Sequence, residues 1–315
     1  MVVDHSWLLS QNILPSDLPT IVVTNPRRDG PAGPLEVEAS VSFLSRFWVR
    51  CCPAIEGGPG VMHAKLMLFF YNTNRLRVVI TTANLVDSDW SLIENMVWVQ
   101  DLPLVCKSVD LRPPTPLGTK FERYLALALA KLNVAAGLTS LRDVLSSADT
   151  TLDNLFAAYD FSAIRVALVV SIPGVHVGWP NVLTVGHTGL MDAVKDLGAV
   201  CPPGNRLAVE YQGSAIGCYT SQWIQQFLIS AEGGAGHHAL LKQSPSKRKQ
   251  LPFPNADRLS ILFPSSRTID GCIGGRSSAF MIFCDDRLWS DPCFPRHLFR
   301  DAKSKTGRVL MHSKA

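Results

Sequence analysis

A chain of 315 residues, 47% hydrophobic and 18% charged, is long enough for two domains of ordinary size and apolar enough to bury a sizeable core. Its net charge of +4 excludes a global polycation, so any polyanionic partner must be met by a local surface. Eight cysteines with no C-x-x-C pair, and with Cys51 beside Cys52, suit neither a disulfide framework nor a zinc site; they read as reduced, intracellular thiols.

Met1 to Leu9 lacks the basic region and the apolar stretch of a signal peptide. Leu18 to Thr24 is a β-rich run bounded by Pro15 and by the turn-forming residues Asn25 to Gly30. A Pro/Gly-rich stretch, Gly30 to Pro34, separates it from Leu35 to Val49. Gly57-Gly58-Pro59-Gly60 forms a loop, and Val61 to Tyr71 follows as a buried strand. Asn72-Thr73-Asn74 turns the chain, and Leu76 to Thr82 returns, which is a hairpin by pattern. Asp87-Ser88-Asp89-Trp90 reads as a helix start with its own cap.

Phe121 to Leu132 has the spacing of an amphipathic helix, and Thr151 to Tyr159 that of a shorter one. Ile164 to Ser171 is expected to open a new strand, which places a domain boundary near residue 160. The apolar run Val166 to Val175 is broken by Pro173 and is too short to cross a bilayer, so no membrane association is expected. Strands are expected at Leu207 to Tyr211 and Leu259 to Phe263, with a helix at Ser221 to Ala231. The polar insert Ser244 to Lys249 reads as a solvated basic loop, with a localisation signal or a phosphate contact as the other readings. Gly307 to Met311 reads as a strand leading into His312.

Two His-x-Lys tripeptides stand out, His63-Ala64-Lys65 and His312-Ser313-Lys314. On a strand, residues i and i+2 share a face, so each histidine and its lysine would project together. A neutral imidazole can attack phosphorus and an imidazolium can protonate a leaving oxygen, while two lysines offset the charge of the transition state. Such a site needs no metal and no cofactor. Chance alone supplies about 0.3 such tripeptides in a chain of this composition, and a lone histidine on an apolar strand is more often a core residue. The context of the first motif adds weight: Asn84, at the end of the returning strand, offers an amide to a phosphate oxygen.

The residues His63-Ala64-Lys65-Leu66-Met67-Leu68, then Leu76 to Ile80, Ala83-Asn84-Leu85 and Asp89-Trp90, resemble the tyrosyl-DNA phosphodiesterase family, a branch of the phospholipase D superfamily. The resemblance continues in order through Ser171-Ile172-Pro173-Gly174, Gln212 to Cys218, Phe263-Pro264-Ser265, Gly274-Gly275 and Met311 to Lys314. It implies an α/β fold of two phospholipase D-like domains, residues 1–160 and 161–315. Each would be a mixed β-sheet flanked by helices, the two related by pseudo-twofold symmetry with the site between them.

By the same resemblance, His63 is the nucleophile, forming a covalent phosphohistidine on a 3′-phosphate. His312 is the general acid and base. Lys65, Lys314 and Asn84 bind the phosphoryl oxygens, and Ser214, Gly217 and Cys218 contact DNA. Ala215 and Cys218 stand where the family favours serines. The implied partners are DNA with a 3′-blocked end, single- or double-stranded, and a topoisomerase I peptide adduct; the implied species is a nuclear monomer. The resemblance also implies a first domain shortened at its N-terminus and a second one truncated after its motif, in which DNA binding outlasts efficient turnover. A phospholipase D-like lipase or nuclease is the lesser alternative, because Leu66 to Tyr71 supplies no aspartate after Lys65. A non-catalytic DNA-binding remnant is the other.

Overall fold

The computed structural model describes residues 2–12, 14–15, 17–25, 35–36, 48–53, 61–105, 115–145, 151–233, 252–305 and 307–314. The Gly30 to Pro34 stretch, the Gly57 to Gly60 loop and the basic insert Ser244 to Lys249 lie outside these residues, as does the turn after Asn25. In chain order, helix α1 (His5–Ser10) precedes strands β1 (Thr20–Val23), β2 (Leu35–Glu36), β3 (Trp48–Cys51), β4 (Leu66–Tyr71) and β5 (Arg75–Thr81). Then come α2 (Asp87–Ser91), β6 (Ile93–Glu94), β7 (Val97–Pro103), α3 (Pro116–Lys131), α4 (Val134–Ser140), α5 (Arg142–Leu145) and α6 (Leu152–Ala157). The rest holds α7 (Gly186–Asp196), β8 (Val209–Gln212), β9 (Ala215–Ile216), α8 (Ser221–Ala231), β10 (Leu259–Leu262), α9 (Ser266–Asp270), β11 (Phe283–Cys284), α10 (Asp286–Ser290), β12 (Phe299–Arg300) and β13 (Leu310–Met311). Among the described residues, no helix is long and apolar enough to cross a membrane.

The chain forms two compact units: residues 1–80, 84–86 and 98–181 make the first, and residues 81–83, 87–97 and 182–315 the second. Residues 161–181, expected to open the second domain, stay with the first unit. The reason is packing: Phe161 and Ile164 are buried in its core, and Leu168 packs against them. The strand expected at Ile164 to Ser171 does not form there, since the run is anchored by these side chains and not by a ladder of backbone bonds.

In the first unit, β1 and β3 run parallel and β2 lies antiparallel to β3. The hairpin β4–β5 has the expected turn, with Tyr71 opposite Arg75 and Asn74 in the left-handed region at φ 61°. Strand β4 is shorter than expected, starting at Leu66, so His63 and Lys65 precede it. Leu76 and Val78 alternate inward from β5 and meet Phe121, Leu125 and Leu129, one stripe of α3 at helical spacing. Thr115 caps α3 by accepting from the Gly118 amide, and Pro116 fits its first turn. Cys51 and Cys52 are buried, and burial pushes the Cys51 thiol up to about 11.

Gly118 marks a close approach: a Cβ there would run into the backbone carbonyl oxygen of Phe161, which has no rotamer by which to yield. Gly118→Ala should therefore lower stability by about 1–3 kcal/mol despite alanine's higher helix propensity. Thermal denaturation checks this, and an unchanged or raised midpoint contradicts it.

In the second unit, β12, β10 and β8 form a parallel sheet, with Ile261 opposite both Phe299 and Tyr211. Ile224 and Leu228 of α8 bury against Leu259 and Ile261 of that sheet. Thr220 caps α8, which begins and ends where expected. Two further pairs of short strands, β11–β9 and β13–β6, run parallel. The strand expected at Gly307 to Met311 pairs only at Leu310–Met311.

Within this unit, α7 packs on α8, and the His187 Nδ1 lies 2.8 Å from the Oγ of Ser230, which is fully buried. Burial pushes the His187 imidazole below its ordinary value of 6.5. The unfolded chain then takes up a proton near pH 6.5 that the folded chain resists. The stability from a neutral His187 is thus complete above pH 6.5 and lost as pH falls below it. His187→Gln should flatten the acid limb of the melting temperature plotted against pH; an unchanged acid limb contradicts the assignment.

Candidate active site

The first motif lies in the loop entering β4. Met62 is fixed there by Asn25, whose side chain accepts from the Met62 amide at 2.7 Å and donates to its carbonyl at 3.0 Å. His63 is exposed and Lys65 is buried, so the two do not share a strand face as alternation predicted. They meet by a different route. The Lys65 Nζ folds back to donate to the His63 carbonyl at 3.0 Å and lies 3.1 and 3.2 Å from the two ring nitrogens.

Asn84 is buried beyond the end of β5. Its Oδ1 accepts from the Val2 amide at 3.0 Å, while Leu85 and the Val2–Asp4 segment exchange backbone hydrogen bonds. With the oxygen so engaged, the donor side of the amide is Nδ2, the atom a phosphate oxygen requires.

The second motif is built from two distant parts of the sequence. Strand β13 pairs with β6, with Leu310 opposite Ile93, and the His312 amide donates to the Glu94 carbonyl at 2.7 Å. His312 is only 1% exposed. Its Nδ1 lies 2.9 Å from the Asn95 Oδ1 and 3.5 Å from the Asp89 Oδ2.

Asn95 is oriented by its own bonds: its Nδ2 donates to the Asp89 carbonyl at 2.7 Å, and its Oδ1 accepts from the Thr82 hydroxyl at 2.8 Å. Thr82 is fixed in turn by backbone and hydroxyl bonds with Met96. Asn95 Oδ1 and Asp89 Oδ2 are both acceptors, so Nδ1 carries the proton and Nε2 is the basic nitrogen of the neutral ring.

Lys314 repeats the habit of Lys65, its Nζ donating back to the carbonyl of the histidine two residues earlier at 2.5 Å. Ser313 is buried, and Gln212 at the end of β8 donates to its hydroxyl and to its carbonyl. Gln212 opens the segment that the resemblance gives as a DNA-contacting loop. That segment is not wholly a loop, because Ala215–Ile216 form β9 and Ser214 accepts from the Phe283 amide. Ser214 is buried, whereas Gly217 and Cys218 are exposed.

Thr82, Asp89, Asn95 and Gln212 were not singled out in the sequence as supports of His312. Asp89 stands in the sequence as part of a helix start, which α2 confirms, and of the family resemblance, yet its carboxylate faces His312. The contact from Asn95 to His312 spans 217 residues, which no local pattern reports.

The sequence model of the family described as tyrosyl-DNA phosphodiesterase matches residues 2–315. The chain belongs to the tyrosyl-DNA phosphodiesterase family. It is 26% identical over 234 residues to tyrosyl-DNA phosphodiesterase 1 of Arabidopsis thaliana, covering 74% of this chain and 36% of that protein. It is 29% identical over 223 residues to tyrosyl-DNA phosphodiesterase 1 of Drosophila melanogaster, covering 68% of this chain and 34% of that one. The chain thus spans about a third of the length of these curated relatives. A crystal structure of a histidine-to-asparagine mutant of yeast tyrosyl-DNA phosphodiesterase aligns with a TM-score of 0.60 at 16% identity, over 99% of this chain and 69% of that one. A histidine-to-alanine mutant of the yeast enzyme aligns with a TM-score of 0.59 at 16% identity, over the same shares. The chain therefore has the fold of yeast tyrosyl-DNA phosphodiesterase, sheets flanked by helices.

Proposed function

We propose that this chain hydrolyses phosphodiesters joining a tyrosine, or another blocking group, to the 3′ end of single- or double-stranded DNA, a topoisomerase I peptide being one such leaving group. In this reading the His63 imidazole attacks phosphorus, a nitrogen–phosphorus bond forms, and the bond to the leaving oxygen breaks. The His312 imidazolium passes its Nε2 proton to that oxygen. The resulting neutral His312 takes a proton from water at the same nitrogen as the water attacks phosphorus. That second step frees His63 and leaves a 3′-phosphate.

Lys65, Lys314 and Asn84 hold the non-bridging oxygens and offset their growing charge. No step calls for a metal ion. Gly217 and Cys218 are the exposed candidates for contact with the DNA backbone, through main-chain N–H groups. The working species is a nuclear monomer.

The observation that carries the reading is the fixed Nδ1 of His312, held by Asn95 and Asp89. A buried core histidine would be satisfied by any partner. One given acceptors on Nδ1 by a network reaching Thr82 has its acid–base function assigned to Nε2.

A 3′-phosphotyrosyl oligonucleotide tests the proposal. The chain should release tyrosine and leave a 3′-phosphate; His63→Ala should abolish both, and His312→Ala should abolish formation of the 3′-phosphate. Oligonucleotide binding without cleavage would instead establish a non-catalytic DNA-binding protein, and hydrolysis of phospholipid but not of the oligonucleotide would establish a lipase.

A further inference from the structure

Residues 300–308 form a strongly basic segment of this chain. Arg300, Lys303, Lys305 and Arg308 face one carboxylate, Asp301, for a net charge of +3 in nine residues against +4 for the whole protein. All four cationic side chains are exposed. The Asp301 carboxylate is already engaged: its oxygens accept from the Ser265 amide at 2.7 Å and from the Thr268 hydroxyl at 2.9 and 2.7 Å. Lys303 stands 3.9 Å from it, with its side chain 72% exposed. The Arg300 Nη1 rests on the carbonyls of His297 and Phe299, which pins that guanidinium to its own backbone.

The segment is clipped at both ends. Phe263 donates to the Arg300 carbonyl at 2.9 Å and accepts from Ala302 at 3.3 Å, while Ile273 donates to the Arg308 carbonyl at 2.5 Å. A fifth exposed cation, Arg267, sits on α9 next to Thr268, the residue bonded to Asp301. The other carboxylate of α9, Asp270, is paired with Arg276 at 2.7 Å. From Arg308 the chain runs directly through β13 into His312. A run of exposed cations close in sequence, whose neighbouring carboxylates Asp301 and Asp270 are already engaged, has the charge that a phosphate backbone requires.

We infer that Arg300, Lys303, Lys305 and Arg308 form a sequence-independent track for the phosphates of the nucleic-acid strand whose 3′ end reaches His312. This rests on the phosphodiesterase reading for the identity of the strand. Residues 300–308 include no Trp, Phe, Leu, Ile or Met, so they present no apolar side chain of the kind an interfacial segment inserts into lipid; this favours a nucleic acid over an anionic membrane.

The test is binding of a fluorescent single-stranded oligonucleotide as salt is raised from about 50 to 200 mM. Removing three phosphate contacts in the triple variant Lys303→Gln, Lys305→Gln, Arg308→Gln should reduce the slope of log affinity against log salt by about 2, at roughly 0.7 per phosphate. A charge-retaining triple variant, Lys303→Arg, Lys305→Arg, Arg308→Lys, should keep the slope. Cleavage of a 3′-tyrosyl mononucleotide, too short to lie on the track, should be equal in all three proteins. An unchanged slope in the glutamine variant overturns the track even where cleavage persists. A reduced slope in proteins that cleave nothing supports the track while removing the phosphodiesterase reading. Loss of binding to phosphatidylserine vesicles in the glutamine variant, with oligonucleotide binding unchanged, overturns the track in favour of a lipid surface.

Discussion

His63→Ala should lower the rate of 3′-phosphotyrosyl cleavage by on the order of 10⁵-fold while leaving the melting temperature unchanged. The size of the loss follows from the proposed chemistry, since removing the nucleophile removes the covalent path and leaves only the electrostatic help of the lysines. The unchanged stability follows from position. His63 is exposed in a loop whose geometry is set by Asn25 and Met62, so truncating the imidazole opens no core cavity. The same substitution at His312 would confound the two effects, because that side chain is 1% exposed, so its loss opens a cavity and removes a bond to Asn95. A His63→Ala protein with full activity and a normal melt would remove His63 from the mechanism.

Asn95→Leu should lower turnover by roughly 10²-fold and change the pH dependence of what remains. The leucine takes away the acceptor 2.9 Å from the His312 Nδ1, while Asp89 stands farther off at 3.5 Å. The proton can then sit on Nε2 more often, and an imidazole protonated at Nε2 cannot accept a proton from water at that nitrogen. Because the second step needs that acceptance, the limb of the rate profile set by neutral His312 should move or flatten. A purely structural role for Asn95 would lower the yield of active protein without altering the profile. Asn95→Gln, which keeps an amide oxygen, should recover part of the rate and the original profile; a profile identical in wild type, leucine and glutamine variants would show that Asn95 does not direct the imidazole.

The parts of this molecule that were legible in its sequence are those held by local rules. The hairpin of β4 and β5 follows from alternation in Leu76 and Val78 and from an asparagine able to take φ 61° at its turn. Helix α8 follows from the Thr220 cap and from Ile224 and Leu228 four residues apart. What was missed depends on partners far along the chain. The run from Ile164 has strand composition, but Phe161, Ile164 and Leu168 are consumed by the core under α3, so no ladder forms. Strands β6 and β13 are two residues each and exist only because they pair with one another.

The candidate site divides along the same line. The two His-x-Lys tripeptides and Asn84 were visible as motifs. Their lysines were expected to project beside the histidines from strands, and instead both fold back onto the histidine carbonyl from irregular backbone. Asp89 and Asn95 lie in the stretch that follows Asn84, so sequence reasoning attached that region to the first motif. It belongs to the compact unit of the second, which is where the network around His312 is assembled.

The proposed mechanism passes through a covalent bond between His63 and the 3′-phosphate of the substrate, and an acid-sensitive adduct is its signature. Tyrosine leaves as a phenol with a pKa near 10, so its departure needs less protonation than the attack of water needs deprotonation. The His312→Gln protein should therefore complete the first step faster than the second and accumulate the adduct. Rapid quenching of this variant with a 3′-phosphotyrosyl oligonucleotide, followed by peptide mass spectrometry, should find the oligonucleotide attached through phosphorus to His63. Tyrosine release with no adduct, or an adduct on any other residue, would contradict it.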